Sequence, residues 1–211
     1  MELKMVNTSV VVLSEGNNPR LLNQDFLERN GVVPPEWKVR DVVVTPPFSR
    51  LIYENGVHFT VEINKLQIDL HKPDVVDWKE TLPNLAAGYL ELLPHVTYRA
   101  AGINFVFKTV HGLERPFADL LTDGPWLAAA GGLTGATIEL HYRSSLPHMN
   151  VKIGHEESAE PAGESGAALL FTVNFHHDFG PDDSHGRAAF IRGIGPLADT
   201  FLDFAKTLPF D

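Results

Sequence analysis

The chain of 211 residues contains no cysteine. That excludes disulfides, thiolate zinc sites and a cysteine nucleophile, and it fits a reducing cytoplasm. Positive charge is also scarce. Seventeen Lys and Arg stand against 27 Asp and Glu, for a net charge of −10 with histidine neutral. Such a surface repels phosphate backbones and anionic lipids. The richest basic stretch, "RDVVVTPPFSR", holds only Arg40 and Arg50. No window approaches the roughly 18 apolar residues that a membrane span needs. The N-terminal run Val10–Leu13 is too short for the apolar core of a signal peptide. No nucleic acid, no membrane and a cytoplasmic location are therefore expected. GxGxxG, GxxxxGK[ST], GxSxG and HExxH are all missing. "GGLTGA" (131–136) precedes a strand pattern and lacks the strand-then-helix context of a phosphate loop.

What is present is an ordinary globular composition, 44% hydrophobic and 21% charged, enough for a core without staples. Residues 6–13 read as a valine-rich strand. "LLNQDFLERNG" has helical spacing at Leu22 and Phe26, with Gly31 as a stop. "KVRDVVV", "FSRLIYE", "VHFTVEI" and "KLQIDL" read as strands, and Asn55-Gly56 marks a hairpin between the second and third. Val57, Phe59, Val61 and Ile63 alternate against His58, Thr60 and Glu62, as in a strand with one face buried. Leu82, Leu85, Ala86, Tyr89 and Leu93 repeat at helical spacing up to Pro94. The second half reads as the strand "TYRAAGINFVFKTV", a short helix in "RPFADLLTDG", and the strands "GATIELHYRS", "HMNVKI" and "LLFTVNFHH". A final helix carries Ile194, Leu197, Ala198, Phe201 and Leu208. The segment 158–167, rich in Gly, Ser and Glu, is expected to be a mobile loop. Trp37, Trp78 and Trp126 fall at element edges, where they would seal the core.

The two halves, about 1–95 and 96–211, have the same element order. "LAAGYLE" (85–91) echoes "LADTFLD" (197–203), Pro83 and Pro196 sit just upstream of each, and Phe26, Gly31 and Trp37 find counterparts in Phe117, Gly124 and Trp126. The reading is a single α+β domain of two pseudo-repeats. Duplicated β-α-β-β-β-α units would form one curved antiparallel sheet with the long helices, ending near Leu93 and Leu208, on one face. This resembles the architecture of the TATA-box-binding-protein-like fold, a likeness of fold that carries no function. "LNQDFLERNGVVPPEW", "ENGVHFTVEINKL", "YRAAGINF", "DGPW" and "FTVNFHHD" together resemble an uncharacterised bacterial protein family. The resemblance covers most of the chain and implies no active site.

The stretch "FHHDFGPDDSH" (175–185) concentrates three histidines and three aspartates. Successive side chains of a strand point to opposite faces, so His176 and His177 cannot grip one ion. His177 continues the core side of Phe171, Val173 and Phe175 and is expected to be largely buried, with His176 facing solvent. Asp182, Asp183 and Ser184 are helix-capping types. A strand end plus a capping loop outweighs a metal site. For a metal the only sterically sensible trio is His176, Asp178 and His185, which would leave an open fourth position on zinc.

The polar sides of the predicted strands form a second constellation. His58, Thr60, Glu62, Thr137, Glu139, His141, Arg143, Thr172, Asn174 and His176 would share the sheet face that the helices leave open. Acid–base chemistry there needs a histidine beside a carboxylate. The expected function is a non-enzymatic binding or adaptor protein, acting on another protein or on itself without a cofactor. Its candidate surface is His58, Glu62, Glu139, His141, Arg143, Asn174 and His176. The alternative is a histidine- and carboxylate-dependent or metal-dependent hydrolase-like enzyme on that same face.

Overall fold

A computed structural model of the chain describes residues 1–110, 137–143, 147–155, 168–180 and 183–208. It is an α+β structure. Among the described residues nine strands run as β1 (Leu3–Glu15), β2 (Val39–Val44), β3 (Phe48–Tyr53), β4 (Val57–Glu62), β5 (Lys65–Leu70), β6 (Thr97–Thr109), β7 (Thr137–Tyr142), β8 (His148–His155) and β9 (Leu169–Asp178). The α-helices are α1 (Gln24–Arg29), α2 (Trp78–Leu92), α3 (Ser184–Arg192) and α4 (Ile194–Ala205), and a short 3₁₀ turn covers Pro19–Leu21. All strands join one antiparallel sheet in the order β2-β3-β4-β5-β1-β6-β9-β8-β7. No described helix is long and apolar enough to cross a membrane.

The alternation that predicts the strands also sorts their side chains. Val57, Phe59 and Val61 are fully buried, while His58, Thr60 and Glu62 between them are half-exposed. Across the registers, Val10 pairs with Ile68 and Ile103, Ile103 with Phe175, and Phe175 with Met149, all on the apolar side. Helix side chains meet this same set. Tyr89 of α2 lies 6.4 Å from Phe59, and Trp78, the first residue of α2, lies 6.0 Å from Phe105. Phe201 of α4 stacks on Phe107 at 5.0 Å and touches Phe171 at 5.9 Å. Phe105, Phe171, Phe201, Phe59 and Tyr89 are each less than 2% exposed.

Several expectations need correction. Four strands follow α1, one more than the β-α-β-β-β-α unit holds, because "KLQIDL" forms β5 and pairs with β1. The first helix is one and a half turns long. Asn23 interrupts it from the N-terminal side, and its side chain accepts a hydrogen bond from the Phe26 N–H at 2.9 Å. The last helix is broken at Gly193 into α3 and α4. Asp183 caps α3 by accepting from the Gly186 N–H at 2.8 Å. The β3–β4 hairpin turns at Asn55-Gly56, where Gly56 has φ +91° and a Cβ would press on Lys72 at 2.9 Å. Trp37 packs edge-on against Tyr53 at 5.3 Å. The predicted helix in 115–124, Trp126, "GGLTGA" and the loop 158–167 lie outside the described residues.

Candidate functional site: the polar face of the sheet

Three strands carry an asparagine between two apolar residues: Ile103-Asn104-Phe105 on β6, Val173-Asn174-Phe175 on β9 and Met149-Asn150-Val151 on β8. The apolar neighbours fix each strand's orientation, so all three amides go to the polar side. The registers then place them abreast, Asn104 opposite Asn174 and Asn174 opposite Asn150. Ser9 of β1 stands opposite Asn104 and His141 of β7 opposite Asn150.

The result is a hydrogen-bonded row across five strands. His141 Nδ1 lies 2.7 Å from Asn150 Oδ1. Asn150 Nδ2 donates to Asn174 Oδ1 at 3.3 Å, Asn174 Nδ2 to Asn104 Oδ1 at 2.9 Å, and Asn104 Nδ2 to Ser9 Oγ at 3.2 Å. Every amide points the same way, so the dipoles add and the bonds reinforce one another. The amide order also decides the tautomer at its end. Asn150 offers oxygen to His141, which therefore donates from Nδ1 and leaves Nε2 outward, 3.6 Å from Glu139 Oε1. Gly102 lies beside the row because a Cβ there would stand 3.0 Å from Asn174 Nδ2.

Beyond Ser9 the row continues into an acid–base cluster. Asp69 of β5 is opposite Ser9, and His58 of β4 is opposite Asp69. The His58 ring lies 4.3 Å from the ring of His71, which follows β5. Asn7 Nδ2 lies 2.7 Å from His71 Nδ1, so His71 accepts there and keeps its proton on Nε2. Gln67 Nε2 donates to both Asp69 oxygens, at 2.9 and 3.0 Å. Burial, then His71, Arg40 and Arg50, push the His58 imidazole down to about 4. Burial raises the Asp69 carboxyl above its ordinary value, and the Gln67 hydrogen bonds only partly offset this. Both groups are driven toward their neutral forms.

Of the candidate residues named from sequence, the row and cluster unite His58, His141 and Asn174. Glu139 stands beside His141. His176 is on the same face, opposite Gly102 and His148, and its Nε2 lies 3.0 Å from Asp178 Oδ1. Glu62 is drawn aside to Lys65 Nζ at 2.9 Å. Arg143 is exposed just past the end of β7. Among the described residues no three His, Asp or Glu side chains are grouped to hold a metal ion. His185, exposed in the first turn of α3, does not complete a set with His176 and Asp178. His177 is partly buried, less so than Phe175 and Val173 before it on the same side. It sits near the end of β9, where its ring stacks on Phe190 of α3 at 5.3 Å and meets Phe179 at 5.4 Å.

Sequence reading missed Asp69, His71, Ser9, Asn104 and Asn150. The signal was present in the recurrence of Asn between apolar residues on three strands, and in the alternation of "KLQIDLH", which puts Gln67, Asp69 and His71 on one side. The arrangement is suited to recognition. Donors and acceptors recur at the interstrand spacing of about 4.8 Å, and each side chain is held by its neighbours. The chain matches no known protein-family model and no curated protein.

Proposed function

We infer that the chain is a non-enzymatic cytoplasmic binding or adaptor protein that uses the polar face of its sheet to engage another protein. The hydrogen-bonded row from His141 to Ser9 carries this reading. A polar row held at its full width has little side-chain entropy left to lose on binding. The strand order supports a duplicated unit. β1 pairs with β5, the last strand of its half, β6 pairs with β9, the last of its own, and β1 and β6 meet at the centre. On this reading the repeats form a curved sheet with the long helices α2 and α4 on one side, like the TATA-box-binding-protein-like architecture. The chain then belongs with the bacterial family of unknown function that its motifs resemble.

The test is photocrosslinking in producing cells. A benzophenone amino acid replaces Thr172 or Lys152, exposed on the polar side, or Thr200 on α4 as a control. Discrete adducts from Thr172 and Lys152 but not Thr200 are expected. Adducts from Thr200 alone, or from none of the three, would overturn the reading.

A hydrolase-like enzyme is the second reading, favoured by the His141–Glu139 pair and by the opposed shifts of His58 and Asp69. Two facts weigh against it. His58 is displaced well below the range of a general base working near neutrality. Ser9, the hydroxyl in the row, is 5% exposed and already accepts from Asn104.

A further inference from the structure

Strand β2 ends the sheet, and its only partner among the described residues is β3. Its last three residues are exposed valines, Val42 at 52%, Val43 at 36% and Val44 at 48%, while Val39 at its start is partly buried. A bare apolar edge of this kind is a template for another strand. The ladder shows which backbone groups of β2 face away from β3. Thr45 N–H bonds Phe48 C=O at 2.9 Å across the hairpin. In the register Val43↔Arg50 and Asp41↔Ile52, every second residue of β2 therefore turns its N–H and C=O inward to β3. Val42 and Val44 turn theirs outward.

The two sides of this edge differ in chemistry. Val42 pairs with Leu51, on the apolar side of the sheet, and helps line an open groove with Val39, Leu51, Asn23, Gln24 and Asp25. On the polar side, the register shift between Val39 and Asp41 puts Arg40 and Asp41 on the same side as Val43. Asp41 is engaged by Arg50 at 3.5 Å. Lys38 and Arg40 have no ion-pair partner among the described residues, in a chain whose net charge is −10.

We propose that β2 captures an extended segment of another protein in which apolar and acidic residues alternate, adding it to the sheet as a tenth strand. The outward groups of Val42 and Val44 bond its backbone. Its apolar side chains fall into the groove beside Val39 and Leu51, and its carboxylates fall on the other side, toward Arg40 and Lys38. Main-chain bonds supply affinity in this mode, and the alternating side chains supply specificity. The inference stands on the edge of the sheet and is independent of the role assigned to the polar face.

A fluorescein-labelled peptide, acetyl-Glu-Val-Glu-Val-Glu-Val-Glu-amide, tests it by fluorescence anisotropy against the counterpart with Lys in place of Glu. The acidic peptide is expected to bind at least about tenfold more tightly, a preference that falls with salt. Val44→Pro removes an outward N–H and spares the β3 ladder. It should abolish binding at unchanged melting temperature. An acidic peptide N-methylated at alternate residues should fail to bind the wild-type protein, whatever Val44→Pro does to folding. Arg40→Glu should erase the preference for Glu over Lys. No binding of the acidic peptide, equal binding of the basic one, or indifference to N-methylation would overturn the proposal. So would dimerisation of the protein alone that Val44→Pro abolishes, since the edge would then serve a second copy.

Discussion

The two faces of the sheet are built from the same strands by alternate residues, yet different interactions hold them together. On one face, Phe59, Phe105, Phe107 and Phe171 are closed under Tyr89, Trp78 and Phe201. On the other, Asn150, Asn174, Asn104 and Ser9 bond sideways along the sheet, with Asp69, His58 and His71 beyond. Apolar burial is non-directional and scales with area removed from water. An amide row is directional, and each asparagine matters because its loss orphans two neighbours. The first face therefore sets whether the chain folds, and the second sets what the folded chain presents.

The sharpest way to break this contrast is at its apolar side. Phe105→Ala deletes a fully buried ring that touches Trp78, Phe107 and Phe175. It should cost about 3–5 kcal/mol by denaturant melts, and a cost under roughly 1 kcal/mol would show that the apolar face is not the core.

Asn174→Leu comes next. It strands the Asn150 donor and the Asn104 acceptor, and should cost about 1–3 kcal/mol. In the double variant Asn104→Leu/Asn174→Leu, the second change should cost less than it does alone, because the row is already broken. Strict additivity of the two would show that the amides act singly.

The acid–base end of the row separates by pH. His58 has its folded-state value depressed to about 4 from 6.5. The unfolded chain thus binds more protons in that window, so stability should fall as pH drops from 6.5 toward 4. His58→Gln should flatten that slope in melting temperature. Asp69 has the opposite sign. Its raised value means that stability present at low pH is lost as the carboxyl ionises. Asp69→Asn should then leave the protein as stable or more stable at pH 7, and a clear loss there would show that the carboxylate is a needed acceptor.

The smallest effect is expected at the exposed contact between α2 and α4. Lys79 of α2 and Asp199 of α4 pair at 3.2 Å with both side chains at least half exposed. Asp199→Ala should change stability by no more than about 0.5 kcal/mol, with the peptide-binding edge unaffected.

Much of the architecture is legible in local pattern. Period-two alternation in "VHFTVEI" and "LLFTVNFHH" and the spacing of Leu82, Leu85, Ala86 and Tyr89 require only nearest-neighbour geometry. Asn55-Gly56 needs a left-handed residue, and only glycine takes it freely. The same alternation put His58, His141, Asn174 and His176 on the polar side, and it is the reason those candidates were in view. At His177 it names the side, where the ring stacks on Phe190 of α3, but not the degree of burial, which is partial.

What the sequence determined by itself is which side chains of each strand go to the apolar side and which to the polar side, because that follows from backbone geometry. Which polar side chains become neighbours was decided only by the tertiary structure. Asn104 and Asn174 are 70 positions apart, and Ser9 and Asn104 are 95 apart. They meet because β1 pairs with β6 and β6 with β9 in registers that no local pattern encodes. A shift of two residues in either pairing would keep every apolar side chain on the core side and still pull the amides out of line. The exposure of β2 is of the same kind. "DVVV" reads as a buried strand until the sheet ends there, and its free backbone groups exist only because no described strand lies beyond it.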